Sequence, residues 1–247
     1  MTQPFDLVSG APSTPDLLVF KERSVLVKRL LKMLPGFSYK TLQERNLVSD
    51  FVSSIGDGGI ILNVGSGYHA YEGVINLDFD LYKDVDITGD AMQLPIQTES
   101  LDGLVIVGVL EHVKFPDQAI NECYRVLKPG GRIHIEVPFM QAYHASPHDY
   151  QRYTISGIRV LARRFHCDDS GVVIGPGSAY AWISHLFWAL LFSFGNPALF
   201  RISRLFFRFL TFPLKYFDIL LAHSQFAHYL ASGFFFQGRK PVQNNET

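Results

Sequence analysis

GSGYHAYEGVINLD, residues 65–78, lies between two short apolar runs, and its reading decides the fold. Gly65, Gly67 and Ala70 fit a G-x-G-x-x-A nucleotide-binding loop, and an acid, Asp78, closes the apolar stretch that follows. A dinucleotide fold places a helix between such a loop and its acid, which lies about 20 residues further on. Here the interval is about half that, so the helix has no room. The glycines of a nucleotide site are present, and the ligand they hold is the first question.

Working outward, IILNV (60–64) before the loop and VINLDF (74–79) at its end read as buried strands. VDITGDA (85–91) is a short third strand, and SLDGLVIVGVLEHV (100–113) contains a fourth, apolar on both faces as a central parallel strand is. PDQAINECYRVLKPGG (116–131) reads as a helix with proline near its start and Pro-Gly-Gly beyond its end. RIHIEVPF (132–139) is a fifth strand, TISGIRVLARRF (154–165) a helix capped by Thr154, GVVIGPG (171–177) a sixth strand and FFFQGRK (234–240) a seventh. Upstream, 17–35 and 38–55 have helical spacing and end at Pro35-Gly36 and at GDGG. Strands alternating with helices predict an α/β fold, a Rossmann-like, mostly parallel seven-stranded sheet with helices on both faces. The expected division is an N-terminal helical cap (1–56), a core (57–177), a hydrophobic and basic helical insert (178–232), and the last strand with a disordered tail (233–247).

A chain of 247 residues suits one such domain with an appendage. The net charge of -1 gives no basis for binding nucleic acid. Two cysteines are too few for a disulfide framework, and MTQPFDLVSGAPSTPD carries no apolar signal region, so a cytoplasmic location is expected. In sheets of this kind ligands sit beyond the carboxyl ends of the strands. The GSG loop, Asp78, Asp90 and Glu111 all fall there.

VGSG, Leu77-Asp78, GDAMQLP, SLDGLVIVGVLEHV and RVLKPGGRIHIEVP, in this order, resemble the class I S-adenosyl-L-methionine-dependent methyltransferases of the methyltransferase-11 type, over roughly residues 60 to 140. The resemblance implies S-adenosylmethionine as cofactor, and its chemistry agrees with the residues. Gly65 and Gly67 let the backbone approach the ligand, with Ser66 between them. Asp78 at a strand end suits the ribose hydroxyls, with Asp80 as its competitor. Asp90 suits the adenine amino group, with the Ala91 backbone beside it and Met92 or Leu94 against the ring; a cap for the turn that follows it is the alternative for Asp90. Gly108 and Glu111 would flank the methionine end. No phosphate needs binding, so the missing helix is dispensable. The family usually has an acid two residues before the first glycine; Asn63 stands there and could orient the loop amides without the charge.

PFMQAYHASPHDYQRYT (138–154) follows the fifth strand and so overhangs the same crevice. It is similar to an H-x-x-P-x-D-Y-x-R-(Y/F)-T stretch of methyltransferases found with glycan and lipopolysaccharide biosynthesis. Methyl transfer needs an aligned nucleophile, and a hydroxyl acceptor is helped by a base. His144 and His148 are the candidate bases, with Asp149 as orienter; a local Asp149–Arg152 salt bridge is the structural alternative. No second cluster supports these histidines as metal ligands, so no metal is expected.

The stretch from Tyr180 is crowded with aromatics and breaks at Gly195-Asn196-Pro197. Its first apolar run is shorter than the roughly 20 residues that span a bilayer. Arg201, Arg204, Arg208 and Lys215 recur at helical spacing, which points to peripheral membrane contact through 180–221; packing on the domain or in a homodimer is the other reading. The expected function is methyl transfer to a small or lipid-linked acceptor, with a glycan or glycolipid intermediate favoured. A non-catalytic cofactor-binding scaffold tethered to a membrane or partner is the alternative. An NAD-dependent oxidoreductase is disfavoured by the missing helix.

Overall fold

The computed structural model describes residues 42–67 and 71–242, with side chains from Leu47 onward. The helix expected over 17–35 and the tail from 243 lie outside the described residues. The described residues all belong to one compact unit.

Seven strands make one sheet: β1 (Ile61–Val64), β2 (Ile75–Asp78), β3 (Ile87–Thr88), β4 (Leu101–Val107), β5 (Leu127–Pro138), β6 (His166–Ile174) and β7 (Gly233–Arg239). Their order is β3-β2-β1-β4-β5-β7-β6. The pairs from β3 to β5 are parallel, and β7 runs antiparallel between β5 and β6. The expected mostly parallel sheet is therefore present, with one reversed strand. The direction of growth switches between β1 and β4, which is where such sheets open a ligand crevice.

Strand alternation sets the layers. Leu62, Val64, Leu104, Ile106, Ile133 and Ile135 face one core, against α2 (Pro116–Val126) and α3 (Ile155–Leu161). Ile61 and Val105 face the other, against Val48 and Phe51 of α1 (Leu42–Ser53). α1 falls within the helix expected over 38–55, and Thr154 caps α3 by accepting from the Gly157 amide at 3.0 Å.

Residues 65–74 join β1 to β2, with Leu62 paired to Ile75 and Val64 to Leu77. A parallel crossover ordinarily takes a dozen or more residues and a helix; the described residues of this one form turns only. The sixth strand begins at His166, five residues before the expected start at Gly171. Its first residues, HCDD, are exposed at the sheet edge and carry no apolar signal.

The insert consists of α4 (Pro176–Leu191), α5 (Pro197–Thr211), a 3-10 turn (Phe212–Phe217), α6 (Asp218–Leu221) and a second 3-10 turn (Ala227–Tyr229). Asn196 caps α5, its side chain accepting from Ala198 and Leu199 amides at 2.8 and 3.2 Å, and Pro197 needs no partner there. Asp218 is fully buried and accepts from the Gly177 and Ser178 amides at 2.6 and 2.9 Å, closing the N-terminus of α4. The basic residues do not form the expected exposed stripe. Arg201 is exposed, Arg204 and Arg208 are half-buried and Lys215 is buried. The outward face of α5 is instead apolar: Ile202, Leu205, Phe206, Phe209 and Leu210.

Candidate active site

Three strand ends build the cofactor side. Gly65 and Ser66 amides donate to the Leu77 carbonyl at 2.8 and 3.1 Å. The Gly67 amide donates to Asp78 Oδ2 at 2.7 Å, and the Asp80 amide to Oδ1 at 3.0 Å. Asp78 thus holds the glycine loop as well as ending β2, while the Asp80 side chain is exposed. Gly65 has φ +70, and a Cβ there would lie 2.2 Å from Val109 Cγ2. Only glycine lets the loops after β1 and β4 close on each other. The Ser66 hydroxyl is buried without a hydrogen-bond partner among the described residues, an atom that a bound ligand would satisfy. Asp90 Oδ1 accepts from the Met92 amide at 2.8 Å, which is the capping role anticipated as its alternative. Asn63 is buried and its amide group donates to Asn76 Oδ1 at 3.0 Å, across to β2. The crevice, its glycine walls and the orphaned hydroxyl fit a nucleoside-bearing ligand without phosphates.

The loop after β5 closes the other side. The Tyr150 amide donates to the Glu111 carbonyl at 2.7 Å, Tyr153 OH to the Leu110 carbonyl at 3.1 Å, and Gln151 Nε2 to the Val113 carbonyl at 3.1 Å. Arg152 forks onto both oxygens of Asp149 and donates to the Gln141 and Ala142 carbonyls at 3.2 and 3.0 Å. Burial works against the Asp149 carboxylate, but Arg152 and the His144 amide outweigh it and hold it below the usual carboxylate range. The expected His144–Asp149 ring pair is not made as a hydrogen bond: Nδ1 and Oδ2 are 3.9 Å apart. Asp149 grips the backbone of His144 instead, at 2.7 Å. The His148 ring is exposed and packs on Tyr150, and its carbonyl meets His112 Nδ1 at 2.6 Å.

His144 does reach the crevice. Its Nε2 is 3.8 Å from Glu111 Oε1, and that carboxylate raises the His144 pKa against the opposing effect of burial. Glu111 lies beside Gly108, where a Cβ would sit 3.6 Å from Oε1. His112, which the sequence analysis does not single out, joins them from the turn after β4; the Glu111-His112 pair directly after an apolar strand is the signal for it. Trp182 of α4 packs on the His144 ring at 5.6 Å between centroids. Next to it opens an apolar groove of about 420 Å³ between the loop after β5 and α4, lined by Phe139, Met140, Ala142, Ile183, Leu186 and Leu190 among others.

Comparison with known proteins bears on these observations. A family model described as a methyltransferase domain matches residues 69–135. The demethylmenaquinone methyltransferase of Renibacterium salmoninarum is 30% identical over 161 residues, 58% of this chain and 68% of that protein. The ubiquinone/menaquinone biosynthesis C-methyltransferase UbiE of Ruegeria sp. is 49% identical over 47 residues, 19% of each chain. The chain thus spans between about a fifth and about two thirds of these curated relatives. Among solved structures, a candidate sarcosine dimethylglycine methyltransferase from Galdieria sulphuraria superposes with a TM-score of 0.55 at 12% identity, covering 87% of this chain and 97% of that one. The cyclase SpnF superposes with a TM-score of 0.50 at 18% identity, covering 84% and 86%. Those two likenesses concern the fold, which a methyltransferase and a cyclase share.

Proposed function

The chain belongs to the S-adenosylmethionine-dependent methyltransferases, and from that premise we propose that it methylates an acceptor carried on an apolar, lipid-like chain. The cofactor supplies an electrophilic methyl group on a sulfonium. Gly65, Ser66 and Gly67 would hold it from one wall, Asp78 at the ribose, Asp90, Ala91 and Met92 at the adenine, and Gly108 with Glu111 at the methionine end. Asn63 supports this wall through β2 rather than by facing the ligand.

The observation that carries the acceptor class is the apolar groove formed by the same loop and helix that bring His144 and Trp182 together. An alkyl or prenyl chain laid along Ile183, Leu186 and Leu190 would bring its head group to the Glu111–His144 end of the crevice. Alignment of that head group is the main catalytic demand. We assign its proton handling to the Glu111–His144 side, with His148 and Asp149 carrying the loop that presents His144. The quinone-methylating relatives favour an isoprenoid quinone precursor; a glycolipid intermediate uses the same groove. The test is S-adenosylhomocysteine release with a short-chain prenylated quinone precursor, a glycolipid, and each head group without its chain. Turnover that needs the chain supports the reading, and equal turnover of a bare head group removes it.

The exposed apolar face of the insert fits the same substrate class. Phe194, Phe206, Phe209, Leu220 and Tyr229 are all more than half exposed, far beyond the scattered apolar residues of an ordinary surface. We assign this face to the surface of a membrane from which the acceptor enters. No helix of the described residues is long and apolar enough to cross one.

A further inference from the structure

We infer that Glu111, His112 and His144 form a binding site for a divalent transition-metal ion at the acceptor end of the crevice. Two segments distant in sequence bring them together: the turn after β4 supplies Glu111 and His112, and the loop after β5 supplies His144. Their ligand atoms all lie within 4.8 Å of one another.

The carboxylate makes the case first. The Glu111 side chain is 3% exposed, and Oε2 has no hydrogen-bond partner among the described residues. Oε1 is 3.8 Å from His112 Nε2 and 3.8 Å from His144 Nε2, beyond hydrogen-bond reach of either. A buried carboxylate left in this way is costly, and a cation is one of the few groups that relieve it.

The histidine tautomers make the second case. His112 Nδ1 is 2.6 Å from the His148 carbonyl, and His144 Nδ1 is 2.9 Å from the Ala142 carbonyl. A carbonyl only accepts, so both Nδ1 atoms carry the proton. Arg152 Nη2 also lies 3.1 Å from His144 Nδ1, but its two hydrogens go to Asp149 Oδ2 at 2.6 Å and to the Ala142 carbonyl at 3.0 Å. In the neutral rings both Nε2 atoms are unprotonated and lie 3.8 Å from Glu111 Oε1. Glu111 favours a proton on His144, so an ion bound here displaces that proton and then meets three electron-pair donors. Imidazoles tied by their far N–H to backbone carbonyls are the usual outer support of metal-ligating histidines.

The spacing agrees. A tetrahedral ion with bonds of about 2.0–2.2 Å holds its ligand atoms roughly 3.4 Å apart, so each histidine nitrogen needs to close on Glu111 Oε1 by about 0.4 Å, and the two nitrogens, within 4.8 Å of each other, by at most about 1.4 Å. The two rings stand at 84°, with centroids 5.4 Å apart. Two imidazoles and one carboxylate suit zinc or a neighbouring first-row ion and leave at least one coordination position open. Both histidines are partly exposed, His144 the more so at 31% against 16% for His112, so the open position lies on the His144 side. With an ion held there, an acceptor oxygen bound to it would release its proton to solvent more readily, and His144 would serve as a ligand and not as the base.

The test is a cobalt(II) titration of the chelator-treated full chain, followed by visible absorption and calorimetry, with S-adenosylhomocysteine titrated separately so that the cofactor reading is judged on its own. One equivalent of cobalt per chain, with ligand-field bands that zinc abolishes, is expected. Glu111→Gln and His144→Ala should each weaken binding at least tenfold, with folding checked by circular dichroism. His144→Ala removes a partly exposed ring, so it remains informative if Glu111→Gln does not fold. Absence of saturable binding in the natural sequence overturns the site, as does binding that both substitutions leave unchanged.

Discussion

Gly65 and Val109 are in contact at the switch point of the sheet, and a methyl group on Gly65 would come within 2.2 Å of the Val109 side chain. Gly65→Ala has to accept both that overlap and a φ of +70. The substitution should cost on the order of 2 kcal/mol in stability and weaken S-adenosylhomocysteine binding. Thermal unfolding with and without the ligand measures both, and an unshifted midpoint would show that the two loops can part freely.

Asp78 accepts from the Gly67 amide and is our ribose residue, so Asp78→Ala removes two functions at once. Calorimetry should show S-adenosylhomocysteine affinity falling by more than tenfold, about 1.4 kcal/mol or more. Asp80→Ala should change it little. The reverse order of effects would move the ribose contact to Asp80.

Asp218 is the only acid between Tyr180 and Phe236 and it is spent on the first turn of α4. Asp218→Ala leaves two buried amides without acceptors and should destabilise the protein by about 1–3 kcal/mol in urea unfolding. A Cβ at Gly177 would lie 3.0 Å from Asp218 Oδ1 and 2.6 Å from the Leu214 carbonyl, so Gly177→Ala should be poorly tolerated as well.

His185 of α4 is buried, and burial, with Arg204 and Arg208 nearby, pushes its pKa down from 6.5 to about 4. The folded protein therefore holds it neutral. Its stability contribution is complete above the ordinary value and is lost as pH falls from about 6.5 towards 4, on the order of 1–3 kcal/mol. Denaturant midpoints measured across that window should fall with acidification in the natural sequence and fall less in His185→Phe. Parallel curves for the two proteins would show that the ring titrates freely.

Phe206 and Phe209 project from α5, both more than half exposed. Changing both to serine should reduce sedimentation with lipid vesicles by more than tenfold, since a buried phenylalanine contributes about 1.5–3 kcal/mol. Salt should matter little, because Arg204, Arg208 and Lys215 are turned inward. Unchanged vesicle binding, or loss of a dimer on gel filtration instead, would assign this face to protein packing.

Much of this architecture is legible in the sequence because central strands are apolar on both faces. ILNV, LVIV and IHIEV could not be read otherwise, and the short interval from Gly65 to Asp78 already denied the first crossover a helix. β6 begins in HCDD, an exposed edge stretch held to β7 by backbone pairing and an Asp168–Arg239 ion pair, so it carries no apolar alternation to read. The basic residues of α5 recur at helical spacing, but spacing does not say which face a helix turns to its neighbours, and α4 takes Arg204 and Arg208 inward. The site was legible as separate clusters. The Asp149–Arg152 pair, three residues apart, is legible locally. That His144 meets Glu111 and His112 depends on how the loop after β5 folds back on the turn after β4, and no local pattern encodes that.

β6 touches no strand other than β7. The residues just before β7 also receive the acceptor loop, with Phe139 and Met140 amides donating to the Ser232 and Ala231 carbonyls at 2.8 and 3.2 Å. During synthesis the cofactor wall, β1 to β4, can therefore assemble while β6 and the insert still lack a seat in the sheet. The acceptor wall closes only when the 233–239 segment arrives and threads between two strands already made. The acceptor side is thus the last part of the sheet that the chain can complete.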